Sequence, residues 1–191
     1  MENYSLQIAV IGNSSVGKSS IIERACKNKF DDRTSVTIGA AYGVYKLNTE
    51  NCQIHFNIWD VAGQKRFRSL LPLYYKKACA VIIVYDITDR ESYDIAKTLY
   101  YDVVNANILN PIIILVGNKC DLNNTRQIET NEAKAFIKDE NIHFLEVSAK
   151  TSKNIINIFT TISENLDTSM QKEAKTAIKE MTSKYNCCNI L

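Results

Sequence analysis

LQIAVIGNSSVGKSS, residues 6–20, joins an apolar run to a glycine-bracketed loop and then to the start of an amphipathic stretch. Gly12, Gly17, Lys18 and Ser19 fill the spacing G-x-x-x-x-G-K-[ST]. A polyanionic phosphate must be wrapped closely by backbone N–H groups, and side chains at the glycines would block that approach. The helix expected from Lys18 aims the positive end of its peptide dipoles at the same point. In this reading the loop and first turn, Gly12, Ser14, Ser15, Val16, Gly17 and Ser20 included, cradle phosphate. Lys18 reaches the β and γ phosphates, and the Ser19 hydroxyl ligates Mg²⁺. The bland alternative is a chance glycine-rich turn, but a strand before and a helix after are the context the motif requires. The loop alone specifies a nucleoside triphosphate and does not choose between ATP and GTP.

Outward from this loop, apolar runs and amphipathic stretches take turns along the 191 residues. Residues 6–11 read as a short buried strand, and 18–29 as a helix with Ile21, Ile22 and Ala25 on one side. AAYGVYKLN and CQIHFNIWD alternate around Asn48-Thr49-Glu50-Asn51, a hairpin signal. Residues 79–87 and 111–118 are continuous and β-branched, as strands buried on both faces should be. Helical patterns cover 91–107, 131–140 and 152–168, and 143–149 reads as a last strand. Alternation of this kind gives an α/β fold with a mainly parallel sheet, helices on both faces and one antiparallel edge strand. Residues 1–168 form the expected domain, and 169–191 a mobile polar tail.

Composition narrows the class. Hydrophobic residues at 46% and charged residues at 23% suit a soluble globular chain. A net charge of +2 without a basic block gives no reason to expect nucleic acid. No apolar run is long enough to span a membrane. MENYSLQIAV lacks the features of a signal peptide, and Glu2 excludes myristoylation. The six cysteines do not resemble a disulfide framework, so the expected setting is cytosolic.

The base is chosen further along. NKCD, residues 118–121, follows an apolar strand directly, which puts it at the carboxyl end of the sheet beside the phosphate loop. A carboxylate at Asp121 accepts from guanine N1–H and the 2-amino group; adenine offers neither donor and would leave a charge unpaired. Asn118 can brace the loop, the Lys119 stem can lie over the ring, and Ser148-Ala149-Lys150 can offer N–H groups to the guanine oxygen. The alternative is a polar surface turn.

GNSSVGKSS, TIGAAY, WDVAGQKRF, NKCD and SAK in this order resemble a Ras-superfamily small GTPase. YYKKA, YDIT, TIGAAY and FRS are similar to the Rab family, and IGAAY to its early-endosomal subgroup. The resemblance covers about residues 5–168 and the terminal cysteines. It implies a P-loop NTPase of Ras-like fold, six strands and five helices, hydrolysing GTP slowly and cycling between GTP and GDP. It implies Thr37 as a Mg²⁺ ligand in the GTP state, Asp60 as one through water, the Gly63 N–H on the γ-phosphate, and Gln64 positioning the attacking water. Lys18, Mg²⁺ and Gln64 then carry the hydrolysis. Phe30 matches an aromatic that stacks near the base; simple packing is the equal alternative. Arg33 is a solvated loop residue or a cis arginine finger, with an activating protein supplying the arginine in the former case. Tyr42, Trp59 and Tyr74 match an aromatic triad on which effectors pack. Implied partners are an exchange factor, an activating protein, a GDP-dissociation inhibitor or escort protein, and effectors. The chain departs from the pattern at Val61, Lys65 and Lys77, where threonine, glutamate and a small residue are usual, and Lys65, Arg66 and Arg68 make the second switch basic.

The last residues, NCCNIL, place Cys187 beside Cys188. Cys188-Asn189-Ile190-Leu191 fits C-a-a-X, and a Rab-like doublet commonly takes two geranylgeranyl groups, enough for stable anchoring where one is marginal. An unmodified pair is the alternative. The expected location is the cytoplasmic face of an intracellular, endosomal membrane, in exchange with cytosol. Two other classes stay open: a GTP-binding docking scaffold that hardly hydrolyses, and an ATP-using enzyme.

Overall fold

The computed structural model describes residues 2–32, 36–49, 52–106, 111–137 and 142–166. Its elements run β1 (Glu2–Gly12), α1 (Lys18–Lys27), β2 (Ala40–Asn48), β3 (Cys52–Val61), α2 (Leu71–Tyr75), β4 (Ala80–Asp86), α3 (Arg90–Val104), β5 (Ile112–Asn118), α4 (Thr130–Phe136), β6 (Ile142–Glu146) and α5 (Ile155–Glu164). Short 3-10 segments at Lys65–Leu70 and Asn123–Thr125 precede α2 and α4. The six strands form one sheet in the order β2-β3-β1-β4-β5-β6. Only β2 and β3 pair antiparallel, with Tyr42 opposite Trp59; the other four pairings are parallel. The α/β class, the antiparallel edge and the five helices are as expected.

Two apolar cores follow from the alternation along the central strands. Every residue of β4 and β5 is buried. Ile82 and Val84 join Ile8, Phe56 and the α1 and α5 side chains on one face. Val81, Ile83 and Tyr85 join Tyr93, Leu99 and Ile128 on the other. Each fully buried aliphatic side chain contributes about 1.5–3 kcal/mol, so these two strands anchor the molecule. Their carboxyl ends, at Asp86 and Asn118, are held together in register.

Several expected boundaries shift. β1 begins at Glu2 rather than residue 6 because Tyr4 and Leu6 are buried while Asn3 and Gln7 are exposed, the period-two pattern of a strand covered on one face. β6 ends at Glu146, not 149; Val147 still donates to Gly117 O (2.8 Å), but Ser148 turns back to Lys153 O. α5 spans 155–164 rather than 152–168, since Ser152 and Asn154 take left-handed backbone conformations. α3 and α4 end at Val104 and Phe136. Residues 107, 138–140, 167 and 168 of the expected helices, Glu50 and Asn51 of the hairpin turn, Arg33 and the tail with Cys187 and Cys188 lie outside the described residues.

Candidate nucleotide site

The loop between β1 and α1 opens onto a cavity of about 450 Å³ at the carboxyl ends of the strands. Gly17 caps α1 with a φ of 93°, and a Cβ there would lie 2.2 Å from Asn118 Nδ2. Glycine is therefore required by the protein's own packing against the base loop as well as by any phosphate. The first turn of α1 carries no acidic side chain of its own that would offset the positive end of its dipole. Lys18 is buried, and its Nζ donates to Asn13 O (2.6 Å) and Gly12 O (3.2 Å). Burial pulls the Lys18 ammonium down to about 8, against the opposing attraction of Asp60. Ser14, Ser15 and Ser20 line the cavity. The Gly12 and Val16 side of the loop turns inward, Val16 being fully buried.

Three oxygens converge beside Lys18. Ser19 Oγ donates to Asp60 Oδ2 (2.5 Å), Thr37 Oγ1 donates to the same oxygen (3.2 Å), and the two hydroxyls are 2.8 Å apart. Asp60 is buried, and its Oδ1 has no hydrogen-bond partner among the described residues. Burial raises the Asp60 carboxyl above its ordinary range, while Ser19, Lys18 and Thr37 pull the other way. Two hydroxyls and a carboxylate with an unsatisfied oxygen are the hard donors that Mg²⁺ takes, so the residues present fit that ion. Gly63 arrives from the other side. A Cβ on it would fall 2.3 Å from the Asn13 carbonyl carbon, so only glycine lets this segment pass so close to the phosphate loop.

At the far end of the cavity, Asn118 Nδ2 donates to Val16 O (2.9 Å) and its Oδ1 accepts from Ala149 N (3.2 Å), tying phosphate loop, base loop and SAK turn together. Asp121 lines the cavity and its Oδ1 accepts from Ser148 Oγ (2.5 Å), which in turn accepts from Thr151 N. Ser148 itself is buried, so it orients Asp121 rather than facing the cavity. Lys119, Ala149 and Lys150 also line it.

Two residues at this end went unread in the sequence. Buried Asp86 holds Lys119 Nζ at 2.6 Å, and its other oxygen accepts from the Thr88 N–H and hydroxyl. The signal was present, because Asp86 and Thr88 belong to the YDIT stretch. Arg24 on α1 gave no signal. Its Nε donates to Ala149 O (2.8 Å), its Nη2 to Lys150 O (3.1 Å) and its Nη1 to Asn28 O (3.0 Å), and its guanidinium lies 5.9 Å from the Phe30 ring centroid. Phe30 lines the cavity and also packs against the core, so the two readings of it coexist.

A family model described as the Ras family matches residues 7–168. The chain belongs to the Ras family. It is a small GTPase of the kind that switches between GTP and GDP, and Ras-like GTPases typically bind Mg²⁺ with the nucleotide. In this Ras-family chain Gln64, like Gly12, Val16, Asp60 and Ser148, is not part of the cavity lining. Its backbone carbonyl starts the Lys65–Leu70 3-10 segment by accepting from Phe67 N (2.9 Å). Tyr42, Trp59 and Tyr74 do come together, with ring centroids 5.2 and 5.4 Å apart in sequence. Tyr42 is 54% exposed and Trp59 and Tyr74 are half-buried, so the cluster is both sheet surface and open face.

Proposed function

We propose that the chain is a prenylated Rab-type GTPase that cycles between GTP and GDP and recruits effectors to an endosomal membrane during vesicle traffic. The observation that carries the switch is a single cavity lined by the phosphate loop, by Thr37, by Gly63 and by the base loop. A γ-phosphate beside Lys18 would give the Thr37 and Gly63 segments a shared ligand, and its loss would release both. Lys18 supplies positive charge to the β and γ phosphates, and Asp121 reads guanine. Ser19, Thr37 and Asp60 would hold Mg²⁺, which supplies charge neutralisation at the phosphate oxygens. Hydrolysis is then mostly positioning, with intrinsic turnover of about 10⁻⁴ to 10⁻³ per second. An activating protein adds the arginine and can add its own glutamine, in keeping with Gln64 lying outside the cavity.

The TIGAAY, YDIT and YYKKA stretches and the contiguous Tyr42–Trp59–Tyr74 cluster support the Rab assignment. Cys187 and Cys188 carry the lipid in this reading. Exchange factor, activating protein, escort or GDP-dissociation inhibitor and effectors are its partners. Phosphate release from bound GTP, with and without a panel of activating proteins, tests the cycle; no acceleration by any of them would favour the docking scaffold. Replacing both terminal cysteines by serine should leave nucleotide binding intact and abolish stable membrane residence. Endosomal residence of that variant would remove the lipid anchor from the proposal.

A further inference from the structure

Residues 64–78 contain five cations, Lys65, Arg66, Arg68, Lys76 and Lys77, and no Asp or Glu. Lys65, Arg66 and Arg68 belong to the 3-10 segment that follows Gly63, and Lys76 and Lys77 to the turn after α2. Among the described residues none of the five enters an ion pair. Leu70 and Leu73 stand exposed among them, Leu73 at 66%. Beside the strip, α2 and α3 leave a second cavity of about 400 Å³, lined by Arg68, Leu71, Tyr75, Lys76, Asp102 and Asn105 among others. Arg68 Nη2 is buried and, among the described residues, has no hydrogen-bond partner. An unsatisfied guanidinium N–H out of reach of water is costly, and the cavity is where an acceptor can come from.

We propose that a protein partner docks on this strip through an acidic segment, with one Asp or Glu side chain entering the cavity to pair with Arg68 and apolar neighbours resting on Leu70 and Leu73. Arg68 and Lys76 outnumber the one carboxylate in the wall, Asp102, so the cavity favours an anion. A planar carboxylate matches the guanidinium fork. An anionic bilayer would also meet the exposed cations, but a flat surface cannot fill a cavity walled by Leu71 and Tyr75; a protruding side chain can. The strip directly follows Gly63, so the inference rests on the switch reading for its dependence on nucleotide, and on nothing else in that reading.

The test selects a random peptide library displayed on phage against the full chain, loaded in parallel with a non-hydrolysable GTP analogue and with GDP. Recovered peptides should be enriched in Asp and Glu and should bind Arg68→Gln at least tenfold more weakly, in line with loss of a desolvated charge pair. Lys76→Gln should weaken them less, and binding should fall between about 50 and about 300 mM NaCl. GDP release from both variants at the wild-type rate shows that the fold is intact; should Arg68→Gln fail that check, Lys76→Glu replaces it, with the same tenfold loss expected. Peptides without acidic enrichment, or acidic peptides that bind the variants as well as wild type, overturn the proposal. So does flotation on phosphatidylserine-containing vesicles that the variants lose while no acidic peptide is recovered. Acidic peptides that bind equally in both nucleotide states support the docking site and count against the switch instead.

Discussion

Asn118 at one end of the main cavity and Thr37 at the other hold their places by different means. Around Asn118, side chains and backbone from β5, α1, the phosphate loop and the SAK turn are cross-braced by Asn118–Val16, Asn118–Ala149, Arg24–Ala149 and Ser148–Asp121 bonds. These bonds link residues as far as 125 positions apart, so the base end keeps its shape through the fold itself. Thr37 is flanked by Val36 and Ile38, 55% and 78% exposed, and its side chain is held by two contacts, to Ser19 and Asp60. Gly63 leads into a 3-10 segment without a buried residue. A region with few buried contacts opens at little cost, whereas a cross-braced one opens only with the core behind it. The same pocket can therefore retain a base at one end while the other responds to a phosphate.

The contrast can be broken from either end. Asp121→Asn should have the largest effect, shifting the preference for GTP over xanthosine triphosphate by about 10⁴-fold. Competition against labelled GDP measures it, and ATP in the same assay should compete poorly; an unaltered preference would remove Asp121 from the base site. Next comes Ser19→Asn, which takes a hydroxyl from the Ser19–Thr37–Asp60 cluster. GTP affinity should fall relative to GDP by about 30- to 100-fold, the equivalent of about 2–3 kcal/mol for a bond to a charged group. Equal retention of both nucleotides would exclude Ser19 from the γ-phosphate end.

Arg24→Ala sharpens the comparison, because it loosens the braced end without touching the cavity wall. Loss of its bonds to the SAK turn should speed GDP release by about 10- to 30-fold, or about 1–2 kcal/mol, with Arg24→Lys recovering part of it. An unchanged release rate, read with a fluorescent GDP, would mean that the bonds of Asn118 and Ser148 hold the turn without Arg24. The smallest effect is that of pH. Free Lys18 titrates near 8, below its ordinary 10.5, because burial disfavours its charge. Bound phosphate requires the charged form, so binding above that pH must take up a proton. Affinity should be flat below about pH 7 and fall by about tenfold between pH 7 and pH 9. Calorimetry in buffers of different ionisation enthalpy should register the proton uptake, and Lys18→Met should remove it.

The phosphate loop, NKCD and SAK were legible because each is contiguous and sits directly after an apolar run. β4 and β5 were legible because burial on both faces leaves no polar residue to interrupt the run. α2 was not read from its pattern: five residues with a proline in the first turn are too short to show helical periodicity. The start of β1 was missed because its alternation is visible only when β3, its partner from Glu2↔Cys52 onward, is known to extend that far.

Composition and local spacing by themselves determined the α/β class, the two-sided burial of the central strands, the phosphate loop and the candidate base reader, because these depend on residues near one another along the chain. Tertiary structure alone decided that Gly17 is required by Asn118, that Arg24 clamps a turn 125 residues away, and that Gln64 lies outside the cavity lining. It also decided that Arg68 keeps an N–H without a partner among the described residues, beside a second cavity. Each of these is a contact between distant segments, set by how the strands register and which helix covers which face, and neither leaves a period or a motif in the sequence.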